Sequence, residues 1–298
     1  MGAEIATATR AGLLGELVRA ARPLQWMKNL LLFAGIVFAV ELDDPARWGD
    51  ALLIFAAYCA ASSAAYLVND VRDRERDAAH PVKRRRPVAA GTVSPRAALA
   101  AAAALVLVAA GLGLLVGLES LGLLAGFVAL QFAYTAGLKD AILVDVLVIA
   151  GLFVVRAAAG AVAVDVRLSP WLVVCTGLLA LFLALAKRRG ELLQLHADET
   201  PSRPVLTGYS LELVDQLLSV VAAATISAYA LYTFTATSSE AMMLTIPFVV
   251  FGIFRYLYLV HRRDIGEEPE QVLIRDPAIL LTVTGWVATA ALILVLAE

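Results

Sequence analysis

The sequence predicts an all-α, polytopic membrane protein, and three observations carry that expectation. The chain of 298 residues is 61% hydrophobic and 17% charged, with mean hydropathy +0.81. A soluble fold has no use for so much apolar surface. The apolar residues gather into nine stretches, each of about membrane-spanning length. Lysine and arginine fall almost entirely into alternate connections between those stretches, the asymmetry that marks cytoplasmic loops.

Residues 1–21 read as an N-terminal interfacial segment. Glu4, Arg10, Glu16 and Arg19 interrupt its apolar residues, which suits an amphipathic helix at the membrane surface and not a cleavable signal. Residues 22–298 read as a single nine-helix domain. Its first span, 24–41, opens Arg22-Pro-Leu-Gln-Trp-Met-Lys-Asn29; Pro23 suits a helix start and Trp26 the interface. The second, 51–69, is apolar until it meets a charged run. The third and fourth, 97–118 and 120–138, hold the Ala97–Ala104 run and glycines 111, 113, 117, 122 and 126, which favour close helix approach in lipid. The remaining spans are expected at 141–163, 169–187, 212–236, 241–261 and 277–296, several joined by turns short enough to make neighbours antiparallel. Cys59 and Cys175 lie far apart in apolar runs and read as small buried hydrophobes, not a disulfide.

With a cytoplasmic N-terminus, the inside loops are 70–96, 139–140, 188–211 and 262–276. They hold nearly all the loop arginines and lysines, whereas the outside loops hold only Arg47 and Arg167. Every charged motif is thereby expected on the cytoplasmic side of the plasma membrane.

The densest of these motifs runs from Tyr66 to Gly91. Asn69, Asp70, Asp73 and Asp77 are spaced by three, four and eight, so on a helix they share one face. Lys83, Arg84, Arg85 and Arg86 follow at once. Hard oxygen ligands beside guanidinium groups suit a Mg²⁺–diphosphate substrate, since Mg²⁺ takes one or two carboxylates plus phosphate oxygens and Arg grips phosphate in a fork. The competing reading is a solvated helix with internal pairs such as Asp70–Arg74.

Charge at the edge of a span is costly and therefore informative. Lys28, with Asn29 beside it, is a phosphate contact or a snorkelling lysine. Tyr134, Lys139 and Asp145 straddle the turn between the fourth and fifth spans and read as functional. Arg156 lies about three turns beyond Asp145 on the same face and reads first as an internal ion pair with it. Lys187-Arg-Arg-Gly-Glu191 closes the sixth span as a second phosphate grip through Lys187 and Arg188, with Glu191 spaced to orient Lys187. Arg255 and Tyr256 lie two turns inside the eighth span; Arg255 is a candidate phosphate or carboxylate partner. His80, His196 and His261 are scattered, no nucleophile–base arrangement can be assembled, and no Walker or dinucleotide glycine motif occurs. Any chemistry is therefore expected to be electrostatic.

The run Asn69-Asp-x-x-Asp73-x-x-x-Asp77, followed by Arg86-Pro-x-Ala-x-Gly91, resembles the first signature of the UbiA prenyltransferase superfamily. Arg22-Pro-x-Gln-Trp-x-Lys-Asn29, His80-Pro-x-Lys-Arg-x-Arg-Pro-x-Ala-Ala-Gly91, Leu138-Lys139 with Asp145, and Lys187-Arg188 with Glu191 together resemble its decaprenyl-phosphate phosphoribosyltransferase branch. The basic run at 187–189 stands where the wider superfamily carries a second acidic motif, which agrees with the branch; Arg203 and Tyr209 downstream are further candidates with no spacing argument behind them. The resemblance implies a nine-helix UbiA-like bundle with a cytoplasm-facing active site. It implies Mg²⁺-dependent transfer of 5-phosphoribose from phosphoribosyl pyrophosphate to decaprenyl or another polyprenyl phosphate, feeding cell-wall arabinan. Asp73, Asp77, Lys139 and Asp145 are then the expected catalytic residues, and Asn69, Asp70, Asp73 and Asp77 the metal set. Substrate contacts are expected from Lys28, Asn29, Lys83, Arg84, Arg86, Tyr134, Arg156, Lys187, Arg188, Glu191, Arg255 and Tyr256. The implied partners are the two substrates and the lipid bilayer, with no nucleic acid; a homo-oligomer stays open. The alternatives are a UbiA-type prenyltransferase using a prenyl diphosphate with an aromatic or glycerol-phosphate acceptor, and a non-catalytic membrane carrier.

Overall fold

Proline and small polar side chains set the starts of the long helices. Ser94 Oγ accepts from the Ala97 amide at 3.2 Å just before Pro95, Ser210 Oγ accepts from Leu213 at 3.1 Å, and Asp276 Oδ1 accepts from Ile279 at 3.0 Å just before Pro277. Each satisfies an amide that the first helical turn leaves open. The computed structural model describes residues 10–38, 44–198, 204–236, 239–262, 272 and 275–296. Its helices are α1 (Arg10–Ala21), α2 (Ala34–Phe38), α3 (Pro45–Arg72), α4 (Arg74–Ala79), α5 (Pro95–Val116), α6 (Leu118–Ala136), α7 (Val144–Ala163), α8 (Pro170–Asp198), α9 (Leu211–Thr235), α10 (Ile246–Arg262) and α11 (Pro277–Leu296). No strand occurs among the described residues.

Seven helical stretches among the described residues are long and apolar enough to cross a membrane. They correspond to the second through eighth expected spans, the eighth running from the 3₁₀ turn at Glu240 through α10. Helix α11 covers the ninth as a further apolar helix. The first expected span differs. Residues Pro23–Phe33 form a 3₁₀ helix and only Ala34–Phe38 are α-helical; residues 39–41 lie outside the described residues. The tighter winding accompanies a backbone-to-backbone contact. A Cβ on Gly160 would collide with the Leu32 carbonyl, and one on Gly35 would lie 2.7 Å from the Ala161 Cα. Only glycine admits that approach.

The chain divides into two compact units, one within Met1–Leu30 and Leu52–Phe132, the other within Leu31–Ala51 and Ala133–Glu298. In the first, a core of small residues joins α1, α3, the 87–93 loop and α5 through Ala20, Ala64, Leu67, Val88, Val93 and Ala98. Gly117, with φ 155°, alone separates α5 from α6, a reversal that a side chain would obstruct. In the second unit, α7–α10 enclose a core that includes Phe182, Leu185, Leu192, Leu218 and Tyr256. Edge-on packing of Tyr256 on Phe182, centroids 5.5 Å apart, places that tyrosine ring in the core.

Candidate active site

The acidic run is more structured than its spacing alone requires. Helix α3 continues through Asn69 and Asp70 to Arg72, and Asp73 caps α4 with φ −90° and ψ 7°. The amides of Asp73 and Asp77 still bond the carbonyls of Asn69 and Asp73, both at 2.8 Å. The helical face thus persists across the break. Asp70 and Asp77 are buried, at 1% and 5% exposure; Asn69 and Asp73 are half-buried.

Buried carboxylates require partners. Arg22 Nη2 donates to Asp70 Oδ1, and Arg86 Nη1 bridges Asp77 Oδ2 at 2.6 Å and Asp70 Oδ1 at 3.5 Å. These long-range pairs stand where the sequence suggested Asp70–Arg74. Arg22 enters from a left-handed backbone conformation, φ 55°, with its guanidinium 5.0 Å over the Tyr66 ring. Arg86 is brought round by the Lys83–Arg85 turn, where His80 Nδ1 accepts from the Val82 and Lys83 amides at 3.2 and 3.3 Å. Lys83 is half-buried and Arg84 is exposed. Asp70 Oδ2 is buried with no hydrogen-bond partner. Among the described residues no three His, Cys, Asp or Glu side chains converge as a ready metal cage, and Arg86 lies between the two buried acids. Lys28 is half-buried on the 3₁₀ helix, and Asn29, fully buried, donates to Cys59 Sγ at 3.3 Å.

In the second unit the charged residues assemble around Arg188. Its Nε donates to Asp145 Oδ2 at 2.6 Å, Nη1 to Glu191 Oε2, and Nη2 reaches Tyr134 Oη at 3.4 Å. Arg188 and Asp145 are 1% and 0% exposed. The pairing corrects one expectation. Asp145 takes Arg188 from α8, whereas Arg156 donates to the Leu152 carbonyl at 3.0 Å and lies 5.2 Å over Phe153. Glu191 holds Arg188 as well, at i,i+3. Tyr209 completes the cluster: its hydroxyl donates to Asp145 Oδ1 at 2.6 Å and accepts from the Leu143 amide at 2.8 Å. Burial, and then the bond to Asp145, pushes the Tyr209 hydroxyl well above the ordinary tyrosine value, so it remains a proton donor. Lys139, 6% exposed, sits on the 3₁₀ turn Leu138–Asp140 just before this network.

Arg255 pairs with a carboxylate of its own. Its Nη2 and Nε donate to Asp276 at 2.8 and 3.3 Å, which keeps the Asp276 carboxyl below its ordinary value. Arg203 lies outside the described residues.

The family description that matches residues 30–275 is that of the UbiA prenyltransferase family. The chain belongs to the UbiA prenyltransferase family. This UbiA-family protein is 33% identical over 297 residues to the decaprenyl-phosphate phosphoribosyltransferase of Mycobacterium tuberculosis, covering 97% of each chain. To the enzyme of that name from Mycolicibacterium smegmatis it is 31% identical over 293 residues, 93% and 92% of the two chains. Among solved structures, a UbiA homolog from Archaeoglobus fulgidus bound to GPP and Mg²⁺ matches with TM-score 0.73 at 18% identity, over 92% of this chain and 98% of that one. That likeness establishes the UbiA fold.

In each unit's cluster one residue has no support from sequence spacing. Arg22 belongs to the Arg-Pro-x-Gln-Trp motif, but its partner Asp70 is 48 positions away. Tyr209 is separated from Asp145 by 64 positions, and no spacing rule reaches it.

Proposed function

We propose that this UbiA-family protein transfers 5-phosphoribose from phosphoribosyl pyrophosphate to decaprenyl or another polyprenyl phosphate, releasing pyrophosphate. The single observation that carries this reading is end-to-end similarity, at 31–33% identity, to decaprenyl-phosphate phosphoribosyltransferases. The charge pattern supports it. The sixth span ends in a basic run anchored by Arg188, and a donor and an acceptor that both carry phosphate need more cations than a prenyl diphosphate does.

Mg²⁺ fits the acidic set. Its donors are hard oxygens, one buried carboxylate oxygen of Asp70 has no protein partner, and Mg²⁺ needs only one or two carboxylates when phosphate and water supply the rest. Asn69, Asp70, Asp73 and Asp77 would hold it, and when bound it neutralises the pyrophosphate leaving group. Lys83, Arg84 and Arg86 take charge from the same group as the ribose C1–O bond breaks. A lipid-phosphate oxygen then forms the new bond to C1 from the opposite face, with inversion through an oxocarbenium-like transition state. A phosphate dianion needs no base to attack, which agrees with the absence of a positioned histidine. Lys28, with Asn29 beside it, and Lys139 and Lys187 are assigned to the remaining phosphates. Tyr134 and Glu191 hold Arg188, and Asp145 orients the cations around it.

The same reading gives nine spans in one domain over 22–298, an interfacial 1–21 segment, and an active site on the cytoplasmic side. The basic loops support that orientation.

The test is transfer of label from radiolabelled phosphoribosyl pyrophosphate to decaprenyl phosphate in detergent, with and without Mg²⁺, beside Asp73→Asn. Label that enters lipid only with Mg²⁺ and is lost in the variant is the expected result. A folded preparation that labels no polyprenyl phosphate overturns the reading and redirects it to prenyl diphosphates.

A further inference from the structure

Lys139 rides on a short turn closed by two backbone bonds, the Asp140 amide to the Gly137 carbonyl at 2.9 Å and the Ala141 amide to the Leu138 carbonyl at 3.3 Å. Leu138–Asp140 is a single 3₁₀ turn, and the chain leaves it through Leu143 at φ 65°. A leucine in that region persists only where its surroundings over-determine it. The surroundings here are the segment Pro204–Gly208 and the residue after it. Gly208 lies so close to the turn that a Cβ would collide with the Ile142 side chain. Tyr209 then takes the Leu143 amide at 2.8 Å and hands its own proton to Asp145 at 2.6 Å. Arg188 holds the other oxygen of Asp145 at 2.6 Å, so that carboxylate cannot turn away. One hydroxyl thus ties the strained exit of the Lys139 turn to the most deeply buried ion pair of the unit.

We infer that Tyr209 is a positioning residue for Lys139, fixing the 138–143 turn so that the ammonium meets a substrate phosphate in one orientation. The inference rests on the phosphate role given to Lys139 above. Removing the hydroxyl frees the Leu143 amide and lets the turn relax toward an ordinary backbone conformation. Small displacements of a charged contact are costly in rate even when the fold survives.

The test compares Tyr209→Phe with the unaltered full-length protein in detergent. The first readout needs no substrate: the rate at which an amine-reactive ester modifies Lys139, followed by mass spectrometry. The second is transfer kinetics with phosphoribosyl pyrophosphate, in the Lys139 background and in Lys139→Gln. Labelling of Lys139 is expected to rise about tenfold as the turn opens locally. Turnover is expected to fall about tenfold to a hundredfold, with half-saturation by Mg²⁺ unchanged. In the Lys139→Gln background the same substitution should cost less than about threefold, because the effect runs through that lysine. Gly208→Ala presses on the Ile142 side chain of the same turn while leaving the Tyr209 hydroxyl in place, and should raise Lys139 labelling less than Tyr209→Phe does. An unchanged labelling rate in a folded variant, or an equal loss in both lysine backgrounds, overturns the inference. So does loss of the fold in both variants, which would make Tyr209 purely structural. If the unaltered protein transfers no ribose phosphate, the functional reading fails, while the labelling rate still decides the positioning claim.

Discussion

Arg188 directs its guanidinium at Asp145, Glu191 and Tyr134, which makes it the keystone of its cluster. Arg188→Met would strand two carboxylates, one of them fully buried. We expect it to lower unfolding stability by about 3–5 kcal/mol, measured by denaturation in detergent. Arg188→Lys should recover only part of the loss, because an ammonium cannot reproduce a planar fork. Spacing along one helix groups Lys187, Arg188 and Glu191. The partner that completes the Arg188 cluster is Asp145, 43 positions earlier, and a local spacing argument has no access to it. Tyr209 is a candidate without a spacing argument for the same reason: nothing around it is unusual until Leu143 and Asp145 are brought alongside.

At the scale of elements, two glycines make opposite forecasts. Gly160→Ala drives a Cβ into the backbone of the 3₁₀ helix at Leu32 and should destabilise by about 1–3 kcal/mol or more, since backbone cannot step aside. Gly122→Ala meets nothing within 4 Å on α6 and should be neutral or stabilising by about 0.5–1 kcal/mol. Melting temperatures of the two variants in one detergent check both. The contrast explains why the first span was only partly legible. Its apolarity and its Pro23 start were plain, but its winding accompanies a close approach to a helix more than a hundred residues later. Asp276 offers a pH test. Its folded carboxyl is held below the ordinary value by Arg255, so its stabilising effect is complete above about pH 4, the unfolded value, and is lost as pH falls through the lowered one. Asp276→Asn should therefore lower the melting temperature at pH 7, with the gap to the unaltered protein closing below about pH 4.

For the whole molecule, hydropathy made the all-helical architecture readable, because lipid forces every span to satisfy its backbone internally. Helix ends were less readable: α3 and α8 run past their apolar stretches and carry Asn69, Asp70, Arg188 and Glu191 with them, since a helix does not stop where lipid stops. Orientation can be checked directly. Arg84→Cys should react with an impermeant maleimide only in inside-out vesicles, and Asp165→Cys only in right-side-out ones. The reverse pattern would put the charged motifs on the outer face. A last consequence follows from the bridge that Arg86 makes between Asp70 and Asp77, with Arg22 on the same acid. Asp70 and Asp77 are matched by two guanidinium groups, so we expect these two acids to hold their places without a divalent ion. Chelation should silence turnover yet leave the melting curve where it was, and readdition of Mg²⁺ should restore activity without a refolding step. The cation would then be a visitor that arrives with its pyrophosphate.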